Sequence, residues 1–179
     1  MHLNELFEGV RPAVLYHCTA ADNATRIIIT DTVLNNTDQN VTYQNRPGFK
    51  VREINKYGSV KGVSLTRDPF FARRWGSGEG VVLGFDAETL RRDFRIEPLA
   101  YYGGDKRRSE SEEFLVGVLK PVSRYLTSIS LSQATLDELQ EYDDQFVEGH
   151  KPYEDLLTHP LLRIEGKSWD NLSGHIRAA

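Results

Sequence analysis

The chain has one cysteine, Cys18, in 179 residues. No internal disulfide can form, and that usage suits a reducing compartment. No apolar run approaches the ~20 residues that span a bilayer, so no membrane association is expected. Positive charge is not in excess either: the formal net charge is −4 and the isoelectric point about 5.8. Such a balance leaves no surface for coating nucleic acid, and a nucleic-acid substrate would need a local basic patch. Met1-His2-Leu3-Asn4-Glu5 lacks the basic and apolar regions of a signal peptide, so a cytoplasmic protein is expected. Neither a G-x-G-x-x-G fingerprint nor a P-loop occurs, which excludes a nucleotide held in the Rossmann manner. His150, His159 and His175 have no ligand-like spacing, and no metal is assigned. There is no internal repeat or low-complexity tract.

What is present is ordinary for a soluble globular chain, with 39% hydrophobic and 27% charged residues. The length suits one domain, with room for a real core and an appendage. Ala13–His17 reads as a buried strand running into a helix over 20–30. Thr19 is predicted as its N-cap, with Asp22 returning the bond. Ala20, Ala24, Ile27 and Ile28 supply one apolar helical face. Residues 31–48 form a polar, asparagine-rich connection closed by Pro47-Gly48, and a strand is expected from Val60 to Thr66.

Asp68 and Pro69 predict a second helix start, with Phe70, Phe71 and Trp75 in its first turns. Trp75 reads as core, whereas Phe70 or Phe71 can line a pocket. Val81–Phe85 reads as a strand buried on both sides. Asp86 caps a short helix through Leu90, and Phe94–Glu97 alternates as a strand. A basic, aromatic loop (Tyr101 to Arg108) then leads into Glu110-Ser111-Glu112-Glu113 and an apolar strand. Another strand is expected over Leu126–Leu131. Ser132 caps a helix to Phe146 whose apolar face is Leu136, Leu139 and Phe146. The elements lack regular βαβ alternation, so the fold class is α+β.

Three polar stations stand on these strands: His17, then Ser64 and Thr66, then Glu110, Glu112 and Glu113. Intervals of 47 residues (64−17) and 48 residues (112−64) separate them. Each has a bland alternative: a strand-end histidine satisfied by a neighbour, and a solvated acidic surface.

In order and spacing the set resembles the ADP-ribosyltransferase superfamily. Leu15-Tyr16-His17-Cys18-Thr19 looks like its first motif, with Cys18 in the place of a glycine. Val63-Ser64-Leu65-Thr66-Arg67 looks like the second, and Glu110-Ser111-Glu112-Glu113 is similar to the third. The likeness covers roughly residues 13–131 and extends to uncharacterised bacteriophage-encoded proteins.

It implies a split mixed or antiparallel β-sheet core over residues 1–131; residues 132–179 match nothing in the resemblance and are expected as a helical extension packed on that core. It also implies NAD as co-substrate, cleavage of the nicotinamide–ribose bond and transfer of ADP-ribose to a macromolecule. A protein acceptor is expected first, with a nucleic acid as the alternative. The resemblance further implies that His17, Cys18, Thr19, Ser64, Thr66, Phe70 and Phe71 bind NAD. A glutamate would stabilise the oxocarbenium-like ribose. E-x-E spacing favours Glu112 as that residue and Glu110 as the one orienting the acceptor, with Glu113 as the rival beside the apolar run. Two other readings stand beside this one. One is a nucleic-acid-modifying or RNA 2′-phosphotransferase-like enzyme of the same fold. The other is a non-catalytic binding protein that docks a partner through its tail. The sequence specifies no oligomeric state.

Overall fold

The computed structural model describes residues 13–34, 62–69, 72, 80–98, 112–146 and 151–167. Among the described residues seven strands form one sheet: β1 (Val14–Thr19), β2 (Gly62–Thr66), β3 (Val81–Asp86), β4 (Ile96–Pro98), β5 (Glu112–Val116), β6 (Leu126–Leu131) and β7 (Leu162–Ile164). Their order is β4-β5-β2-β1-β3-β6-β7. All neighbours are antiparallel except β6 and β7, which run parallel, so the sheet is mixed and the class α+β. Helices α1 (Ala21–Thr30), α2 (Ala87–Asp93), α3 (Gln133–Asp144) and α4 (Glu154–Leu157) accompany it.

The run Val81–Phe85 is buried throughout, as its unbroken apolar pattern requires of a strand covered on both faces. On one face Leu15, Leu65, Leu83, Phe85, Leu115 and Ile129 form the main core with Ala24 and Ile27 of α1, Leu90 of α2 and Leu156 of α4. A second, smaller cluster joins Val82, Leu131 and Ala72 with Tyr16, Cys18, Leu136 and Leu162.

Local signals hold where nothing competes with them. The Asp86 carboxylate caps α2 by accepting from the Thr89 N–H at 2.7 Å, and the Ser132 hydroxyl caps α3 by accepting from the Thr135 N–H at 3.1 Å. Pro69 is helical, and the Ala72 N–H donates to the Asp68 carbonyl at 3.1 Å.

The start of α1 departs from expectation. Thr19 is the last residue of β1, paired with Val81, and Ala20 is the N-cap without a side-chain bond. A ladder of six Cα pairs between β1 and β3 outweighs one cap worth about 1 kcal/mol. Asp22 instead accepts from the Tyr153 hydroxyl at 2.5 Å. That bond, aided by burial, pushes the phenol pKa up to about 12.

The C-terminal part is more than a helical extension. β7 adds a strand beside β6. The first N–H groups of α3, which a helix cannot satisfy internally, donate from Gln133 to the Gly166 carbonyl and from Ala134 to the Lys167 carbonyl, both at 3.0 Å. Leu139 of α3 is buried as its spacing predicts, but Phe146 lies beyond the helix, 46% exposed, with its ring 5.2 Å from that of Tyr142. The buried Asp143 carboxylate accepts from the Tyr153 N–H at 3.0 Å.

Candidate functional site

Residues 17, 64–66 and 112–113, far apart in the chain, lie on adjacent strands β1, β2 and β5. The sheet is weakest between the first two. β2 and β5 share five Cα pairs, whereas β1 and β2 meet at one, Tyr16 opposite Thr66. Beyond that pair the ladder stops, and the Ser64 carbonyl is met by the His17 ring at 2.9 Å from Nδ1. A side chain thus takes the place of a backbone partner at the seam.

A carbonyl can only accept, so the bond requires the proton on Nδ1. In the neutral ring Nε2 is then an acceptor. Burial lowers the His17 pKa from 6.5, and the bond to Ser64 only partly offsets this, so the neutral form prevails at neutral pH. Since the unfolded state binds the proton more readily, the stabilisation is fully present above about pH 6.5 and is lost as pH falls through the depressed folded pKa. Denaturant titrations between about pH 7.5 and 5 are expected to show a steeper loss for the wild type than for His17→Gln. Parallel curves would refute the assignment.

Directly opposed residues in antiparallel strands share a face, and alternate residues change face. Tyr16, Thr66 and Glu112 occupy one register row across β1, β2 and β5. His17 pairs with Leu83, and Glu113 pairs with Leu65, both residues of the main core. Glu113 therefore shares the face of His17, and Glu112 sits in the row one residue out of step with it.

The Glu113 side chain is 4% exposed and lies among guanidinium groups. Arg67 Nε, just past the end of β2, donates to Oε1 at 2.5 Å. Arg91 Nη2, in the last turn of α2, donates to Oε1 at 3.0 Å and Oε2 at 3.1 Å. Isolated charge at this depth would be costly, and charge-assisted bonds compensate it. Nothing in the sequence singles out Arg91; its i-to-j reach of 22 residues to Glu113 exists only in the folded sheet.

The remaining predicted site residues divide. Thr66 is buried, and its hydroxyl accepts from the Asp68 N–H at 3.1 Å. Ser64, Cys18 and Thr19 are half-buried along the seam. Glu110, Phe70, Phe71 and the loop Tyr101 to Arg108 lie outside the described residues. Among the described residues no cluster of His, Cys, Asp and Glu could hold a metal ion, and no helix is long and apolar enough to cross a membrane.

No known family profile matches the chain, and no curated protein does. Among solved structures it is similar to DarT of Thermus sp. 2.9 in complex with ADP-ribosylated single-stranded DNA. The identity is 13% and the TM-score 0.48, over 86% of this chain and 94% of that one. The same protein in complex with NAD+ gives 13% and 0.47, over 87% and 96%. At that identity and score the chain is similar to DarT in outline, and the likeness assigns no residue a role.

Proposed function

We propose that this protein is an NAD-dependent ADP-ribosyltransferase whose site is the seam between β1 and β2. The observation that carries the reading is the placement of His17 and Glu113 on one face of the sheet, on strands that flank β2. The motif resemblance, also a premise of the proposal, supplies the chemistry to match.

In this reading the neutral His17 ring accepts a hydrogen bond from a ribose hydroxyl at Nε2, which orients the sugar. The backbone of Cys18 and Thr19, past the end of the β1–β2 ladder, binds the nicotinamide amide. Cys18 in the glycine position narrows the approach without removing the N–H. Cleavage of the N-glycosidic bond develops positive charge on the ribose, and a preorganised carboxylate stabilises it. The sequence favours Glu112 for that task. Sheet register favours Glu113, because the carboxylate has to work on the same substrate as His17 and from the same side.

The acceptor is a macromolecule, and one experiment assigns its class. Purified protein is incubated with labelled NAD and either cell-extract protein or single-stranded DNA oligonucleotides. Nicotinamide release with label retained on one acceptor is the expected result. Absence of nicotinamide release in both arms, together with no thermal stabilisation by millimolar NAD, sinks the proposal.

A further inference from the structure

The two arginines at Glu113 are not equivalent. Arg67 is 45% exposed and approaches from the solvent side through Nε. Arg91 is 19% exposed and meets both carboxylate oxygens with the single atom Nη2. A single nitrogen close to both oxygens fixes the position of the carboxylate, and Arg67 Nε on Oε1 adds the second point that restrains its rotation.

Arg91 is also carried by a rigid support. At the start of α2 the Asp86 N–H donates to the Tyr125 carbonyl at 2.8 Å and the Ala87 N–H to the Ala13 carbonyl at 3.0 Å. Ala87 and Leu90 are fully buried, and the Phe94 N–H closes the helix on the Leu90 carbonyl at 2.8 Å. The helix cannot turn about its axis without lifting Leu90 out of the main core, so the root of the Arg91 side chain is fixed.

From this we infer that Arg91 is the positioning residue of the site, holding the Glu113 carboxylate in its reactive orientation without itself touching substrate. The inference rests on the reading of Glu113 as the catalytic carboxylate. It goes beyond that reading by assigning catalytic competence to a helix outside the three motifs.

The test is steady-state NAD hydrolysis, or transfer to whichever acceptor the labelled-NAD experiment identifies, by wild type, Arg91→Met, Arg91→Lys and Arg92→Met, with a thermal melt of each. Misplacing a reacting group by about 1 Å costs on the order of 10²-fold in rate. Arg91→Met is expected to lower kcat by about that factor, while KM for NAD stays within about threefold because the carboxylate acts in the transition state. Arg91→Lys keeps the charge as a point donor and is expected to recover part of the loss. Arg92, 64% exposed and paired with Asp93, is the control and should match wild type.

If Arg91→Met fails to fold, Arg91→Lys decides. Reduced kcat with unchanged KM supports the inference, and wild-type kcat overturns it. A folded Arg91→Met with wild-type kcat, or one whose loss lies wholly in KM, also overturns it. A wild-type protein that turns over no NAD refutes the function on which the inference stands. Turnover that is indifferent to Glu113→Gln refutes only the role of the carboxylate and of Arg91.

Discussion

Glu113→Gln is expected to reduce NAD turnover by ~10²–10³ while NAD binding changes little, the signature of a lost electrostatic contact to the transition state. The glutamine keeps the size and the acceptor oxygen but not the charge. Stability should fall as well. Arg67 and Arg91 would face a neutral amide, and removing one member of a buried pair costs up to about 3–5 kcal/mol. Arg67 and Arg91 are 45% and 19% exposed, so water screens part of that loss, and about 1–2 kcal/mol is the reasonable expectation. A denaturant titration separates the two effects: the folded fraction in the assay corrects kcat, and the residual deficit is chemical. Glu112→Gln run alongside is expected to lose much less. The reverse pattern, with Glu112→Gln inactive and Glu113→Gln near wild type, would restore the sequence-based choice.

Deleting residues 132–179 is expected to abolish cooperative unfolding and leave aggregated material. The deletion strips β7 from the edge of β6, exposing unpaired N–H and C=O groups along a strand whose second half, residues 129–131, is buried. It removes Leu156, fully buried in the main core, where loss of a leucine side chain alone costs about 2–5 kcal/mol. It also removes Tyr153, whose hydroxyl ties the C-terminal part to Asp22 on α1. These losses rival the whole stability of a small domain, about 5–15 kcal/mol. A soluble, monomeric residue 1–131 fragment with a sharp thermal transition would show instead that the tail is an independent appendage.

Elements set by their own residues were legible in the sequence. The β6 strand runs Leu126–Leu131 as expected, and Asp86 and Ser132 cap their helices as read. Boundaries moved where tertiary pairing entered. β1 starts one residue later, at Val14, and ends two later because β3 pairs with it through Thr19, and α2 runs on to Asp93, leaving β4 to begin at Ile96 rather than Phe94. β7 went unread because Leu162–Ile164 is only three residues long and exists by pairing with β6.

The three stations of the proposed site could be read from the sequence, but their register across the sheet could not. A slip of one residue moves every side chain of a strand to the other face. Nothing in Glu110-Ser111-Glu112-Glu113 says which glutamate lies opposite Leu65 of β2. Arg91 was invisible, since it reaches Glu113 across a gap that only the assembled sheet closes.

The placement of β1 has a kinetic corollary. It precedes both of its neighbours in the chain yet lies between them, and its contact with β2 joins Tyr16 to Thr66 across a span of 50 residues (66−16). No local hairpin can therefore seed the middle of the sheet. The closure entropy of that long segment must be met before either half gains a shared core. Refolding from denaturant should be slow for a chain of this size. Substitutions that weaken β1, such as Leu15→Ala, should retard folding more than they hasten unfolding if the central strand is part of the nucleus. The residues that bring His17 to the seam would then also set the pace at which the sheet assembles.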